Sequence, residues 1–103
     1  MTYREANLEL LRRLLNAGWQ VNSLLKTPTA TKPFAELPTG HTVVLLFKPQ
    51  SIHIELRRPH SRPESLSLFL DAKVLVEAGT EKSLAVLTRV AFETAKLMNE
   101  RRS

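Results

Sequence analysis

The chain has 103 residues, of which 43% are hydrophobic and 24% charged, a formal net charge of +5 and no cysteine. That length predicts one domain, 1–103, around one core, and the missing cysteine excludes disulfides, thiolate zinc sites and cysteine nucleophiles. The longest apolar runs, such as VVLLF at 43–47, fall far short of the roughly 20 residues that span a bilayer, so a soluble cytoplasmic protein of bacterial or phage type is expected.

In chain order, Thr2 followed by Glu5 forms a capping-box pattern. Leu8, Leu11 and Leu15, flanked by Leu10 and Leu14, then recur at helical spacing, with Arg4, Glu5, Glu9, Arg12, Arg13 and Asn16 on the other side. An amphipathic helix over 3–17 follows, closed by Gly18, with Trp19 folding back onto the last turn. Residues 19–26 have the composition of a strand. Residues 27–40 hold three prolines and four threonines without a steady period and read as a long connection or extended edge, a kind of segment that is often functional or mobile.

Residues 41–48 and 51–58 predict a hairpin about Pro49-Gln50, in which Phe47 faces Ile52, Leu45 faces Ile54 and Val43 faces Leu56. A slip of one residue destroys that match. Leu66, Leu68 and Leu70 add a third strand to the same apolar face, leaving Thr42, Val44, Leu46, Lys48, His53, Glu55, Arg57, Ser65, Ser67, Phe69 and Asp71 on the other. A competing pattern makes 64–78 a helix with Leu66, Leu70 and Val74 on one side. From Thr80 onward Leu84, Leu87, Ala91, Ala95 and Met98 mark a long last helix, its stripe widened by Val86, Val90 and Leu97. The expected fold is α+β in two layers: an antiparallel meander of three to four strands packed against an N-terminal and a long C-terminal helix, α-β-β-β-β-α.

No motif points to catalysis. The glycines at 18, 40 and 79 are isolated, so no phosphate loop is present, and no serine stands in a nucleophile elbow. His41, His53 and Glu55 have the chemistry of a metal set, but their spacing is weak support for one. No catalytic residue, metal ligand or cofactor is assigned, and a non-enzymatic role is expected. The charge is uneven: the Lys/Arg excess is +2 over 1–40, +3 over 41–62 and zero over 63–103. Lys48, Arg57, Arg58 and Arg62, joined by Lys26 and Lys32, are therefore the expected binding residues, on a basic hairpin surface suited to the phosphates of nucleic acid. Of the six aromatics only Phe34 and Phe69 are candidates for exposed base stacking, a scarcity that argues against a dedicated single-strand binder. The alternative is a protein-interaction or inhibitor module, such as a phage-borne antagonist of a host complex, meeting an acidic protein surface. In that role Val44, Leu46 and Phe69 supply an apolar patch, or the chain forms a homodimer through its C-terminal helix.

Overall fold

The computed structural model describes residues 1–68 and 70–101. Helix α1 (Tyr3–Asn16) begins at the expected capping box: the Thr2 hydroxyl accepts from the Glu5 N–H at 3.1 Å, and the Glu5 carboxylate accepts from the Thr2 N–H at 2.8 Å. It ends with Gly18 at φ +98°. The Trp19 N–H donates to the Leu14 carbonyl at 3.0 Å and the Gly18 N–H to that of Leu15 at 3.1 Å, which satisfies carbonyls the helix leaves open and turns Trp19 into the core.

Five leucines between residues 8 and 15 span more arc than one face, and the helix seats only part of them. Ala6, Leu10, Leu11 and Leu14 are buried, whereas Leu8 and Leu15, placed in the apolar stripe from spacing alone, are 46% and 56% exposed. Arg13 departs from its expected polar side. Its side chain is only 10% exposed, with Nε donating to Glu9 at 3.1 Å and Nη1 to the Val76 carbonyl at 3.3 Å and the Ser83 hydroxyl at 3.0 Å.

Strands β1 (Gln20–Asn22), β2 (Thr29–Lys32), β3 (Thr42–Lys48), β4 (Ser51–Arg57) and β5 (Glu64–Leu68) form one antiparallel sheet in that order. The short helix α2 (Ala72–Glu77) and the long α3 (Thr80–Glu100) complete the chain. The β3–β4 register is the expected one, Phe47 with Ile52, Leu45 with Ile54 and Val43 with Leu56, and none of these six is more than 2% exposed. Burying each such side chain contributes about 1.5–3 kcal/mol, which is why this pair anchors the sheet.

The meander has one strand more than expected because β2 lies inside the proline-threonine connection. Its only contribution to the core is Ala30, facing Leu45, and one small residue leaves no apolar alternation to read. The remainder of that connection is packed as well: Leu37 is 7% exposed, and Phe34 lies against Trp19 and Phe92, with ring centroids 6.1 and 5.3 Å apart. Residues 64–78 divide between the two patterns their sequence allows. Leu66 pairs with Ile54 and Leu68 with Ile52; then the Asp71 carboxylate accepts from the N–H groups of Lys73 at 2.9 Å and Val74 at 3.3 Å and starts α2.

On α3, Ser83, Leu87, Ala91, Ala95 and Met98 face the sheet and α1, whereas Val86 and Leu97 are 39% and 59% exposed. All three helices cover one side of the sheet. The other side is open and carries Asn22, Thr29, Thr31, Leu46, Lys48, Ser51, His53, Glu55, Arg57, Ser65 and Ser67, as the registers dictate. Val44 also points to this side, yet it is 0% exposed. It sits mid-strand between Thr31 and Glu55, so the apolar patch expected there does not form around it.

Because every connection of a meander reverses direction, alternate connections fall at the same end of the sheet. The 23–28 loop, the Pro49-Gln50 turn, the start of α1 and the start of α2 share what we term the turn end. Loops 33–41 and 58–63 share the opposite, loop end. Gly40 and Pro59 meet there so closely that a Cβ on Gly40 would lie 2.7 Å from the proline Cγ.

Candidate functional site

Of the six cations expected to form one surface, the fold places two at the turn end. Lys48 closes β3 at the turn end with its side chain on the open face, opposite Ser51, and exposed Lys26 lies in the 23–28 loop at the same end. Arg57 sits at the far end of the hairpin, about 20 Å from Lys48 along the strands, and is paired with Glu55 at 3.1 Å. Arg58 points the other way, since successive residues of a strand alternate faces. Its side chain is 8% exposed, with Nη2 donating to the Met98 carbonyl at 3.1 Å and Nη1 lying 3.6 Å from the Glu64 carboxylate. Lys32 is likewise on the helix-covered side, its ammonium 5.8 and 5.7 Å from the ring centroids of Trp19 and Phe34. Arg62 is exposed in the 58–63 loop. The cations adjacent in sequence are thus dispersed over two faces and two ends.

Phe34 is half-buried against two other rings and offers no stacking surface, and Phe69 lies outside the described residues. Among the described residues, no three His, Asp or Glu side chains are grouped to hold a metal ion. His41 is at the loop end with a buried Nδ1 that lacks a partner, and Glu55 is engaged by Arg57. No helix among the described residues is long and apolar enough to cross a membrane.

At the turn end, Arg4 from the first turn of α1 and Lys73 from α2 join Lys26 and Lys48. The Lys73 ammonium lies 4.4 Å from the centroid of the Tyr3 ring, a cation–π contact linking α2 to α1. Among the described residues two carboxylates occur there, and both serve helix caps. Glu5 is held below its usual pKa by the backbone N–H of Thr2 and then by the Thr2 side chain, and Asp71 accepts from α2. Among the described residues no carboxylate pairs with Arg4, Lys26 or Lys48. The end is therefore electropositive, with its acids spoken for.

A groove of about 450 Å³ opens between α1 and the two turn-end connections. Leu11 and Phe47 form its floor, Tyr3 and Leu8 stand beside it, and Arg4 and Lys26 lie at its rim. The Asn7 side-chain amide donates to the Lys48 carbonyl at 3.0 Å and fastens α1 to the β3–β4 turn, so groove and cations are held by the same frame. On the open face beside Lys48, His53 is bracketed by hydroxyls: Ser67 Oγ is 3.0 Å from Nδ1 and Ser51 Oγ 3.1 Å from Nε2. Burial, and next the charge of Lys48, hold the imidazole below its usual pKa. A neutral ring has one N–H and one lone pair, so one serine donates to it and the other accepts. The serine that accepts from the ring keeps its own O–H free, so the row offers hydroxyl and ammonium hydrogen bonds.

Arg4, Tyr3, Ser51 and Ser67 were not expected as site residues. The usable signal is the parity of connections: in any meander entered from a helix, the first and third connections meet the start of that helix. Comparison with protein-family models, with curated proteins and with solved structures finds no match for this chain.

Proposed function

We propose that the protein is a non-enzymatic nucleic-acid-binding module that engages its ligand at the turn end of the sheet. The observation that carries this reading is the placement at one end of the sheet of Arg4, Lys26 and Lys48, none paired with a carboxylate, with Arg4 and Lys26 lining a groove with an apolar floor and Lys48 on the open face beside it. Phosphates meet the cations and release counterions, the serine of the Ser51–His53–Ser67 row that accepts from the imidazole keeps its own O–H to donate to phosphate or sugar oxygens, and the groove takes an unstacked base. Single strands are therefore favoured over duplex, since a paired base is not free to enter.

The test is anisotropy titration of a short labelled single strand at 50 and 200 mM salt. Neutralising three to four phosphates predicts a loss of roughly 10- to 60-fold in affinity across that range. Lys26→Gln and Lys48→Gln each lower the salt slope by about one. No binding at 50 mM salt overturns the reading.

A second reading is favoured by the leucines at the same place: Leu8, Leu25 and Leu24 are 46%, 50% and 96% exposed. An acidic protein segment with apolar anchors also suits a greasy groove with a cationic rim. In that case Leu8→Ser with Leu25→Ser abolishes partner binding, and no strand of nucleic acid competes.

A further inference from the structure

We propose that the outer edge of β5 is a self-association site, at which two copies pair β5 to β5 in antiparallel register about Leu66 and extend the sheet to twice its width. The inference is independent of nucleic-acid binding.

Strand β5 is the last of the sheet and hydrogen-bonds to β4 on one side only. Its residues 65–67 are exposed. Proteins shield such edges with lysines, prolines, bulges or covering elements, yet Glu64–Leu68 reads ESLSL, with no lysine or proline in it, paired to β4 residue for residue. The opposite edge, β1, is only 3 residues long.

The sequence of β5 is complementary to its own reverse. A two-fold axis through Leu66 sets Leu66 opposite Leu66 of the second copy, Ser65 opposite Ser67, and Glu64 opposite Leu68. No like charges face each other, the serines meet hydroxyl to hydroxyl on the open side, and the leucines meet on the helix-covered side. Leu66 is the member of that row the monomer leaves out: it points to the core side yet is 39% exposed, whereas Ile54, its β4 neighbour, is 0% exposed. Beside it a hollow of about 390 Å³, lined by Leu66, Met98 and Arg101 among others, has room for the second leucine. Antiparallel pairing also sets the loop end of one copy beside the turn end of the other, so the two Arg101 side chains do not meet. A pair made this way leaves only the two short β1 edges, and the assembly closes as an isologous dimer.

A contact five residues long belongs to the small, transient class, so sedimentation is expected to show dimer near 1 mM that dissociates on dilution to about 1 µM. Leu66→Lys gives monomer at every concentration. Because the chain has no cysteine, register can be read by crosslinking under mild oxidation. Directly opposed Cα atoms lie about 4.5–5.5 Å apart, within disulfide reach, so Leu66→Cys forms a covalent dimer. Ser65→Cys alone sets its sulfurs on Cα atoms roughly 8 Å apart and does not, whereas Ser65→Cys mixed with Ser67→Cys does. A monomer throughout, a dimer indifferent to Leu66→Lys, or crosslinking of Ser65→Cys with itself overturns the proposal.

Discussion

The two ends of the sheet carry similar numbers of cations and use them in opposite ways. At the loop end Arg58 is bonded to Met98 and lies beside Glu64, Arg57 is held by Glu55, Lys32 lies over Trp19 and Phe34, and Gly40 packs on Pro59. At the turn end Lys26, Lys48 and Arg4 face solvent, while the acids nearby cap helices. Charge density in the sequence peaks between 48 and 62, but what a ligand meets is the charge left over after the fold has used its share. By that measure the loop end, Arg62 apart, is structural and the turn end is available.

The largest test of that contrast is Arg58→Ala. It removes the donor to a helix-terminal carbonyl and empties a site in which the arginine side chain is 8% exposed, and a cost of about 2–3 kcal/mol is expected in urea unfolding. Lys48→Gln, by contrast, shifts stability by less than about 0.5 kcal/mol. Equal effects of the two would erase the distinction between the ends. Gly40→Ala comes next. The residue has φ +87°, and the new methyl meets Pro59 at 2.7 Å, so a loss of about 1–3 kcal/mol is expected, with nucleic-acid affinity per folded molecule unchanged.

The smallest effect is a pH slope at the turn end. The His53 pKa is lowered in the fold from its ordinary value of about 6.5, so the unfolded chain binds that proton more readily. The stability contributed by the neutral ring is complete above about pH 6.5 and is lost as pH falls through the lower folded value. Urea midpoints at pH 7.5 and 5.5 should differ less in His53→Gln than in the parent. Glu9 acts lower on the scale. The Arg12 side chain above all, against a smaller opposing effect of burial and with help from Arg13, lowers its pKa to about 2, so its contribution is lost only as pH falls from 4.5 toward 2 and stays clear of that window.

Much of the architecture was legible from residues 42–57, where Val43, Leu45, Phe47, Ile52, Ile54 and Leu56 alternate around a two-residue turn and admit one register. Strand β2 was not, because Ala30 is its sole core residue. Residues 64–78 were ambiguous because Leu66 and Leu70 satisfy both a period of two and a period near four; the decisive residue is Asp71, a helix cap that ends one pattern and begins the other. The site was harder to read. Arg57 and Arg58 are neighbours in the chain and occupy opposite faces, a consequence of the same alternation that set the register. Arg4 and Lys48 are 44 positions apart, and only the parity of the connections places them together.

Arg13 has a further consequence. Glu9 pairs with it inside α1, but its other acceptors, at Val76 and Ser83, lie 63 and 70 positions downstream, so α1 is synthesised long before these two acceptors exist. Local contacts form quickly and distant ones wait for the chain that supplies them. One guanidinium thus ties α1 to α2 and α3, elements synthesised well after it.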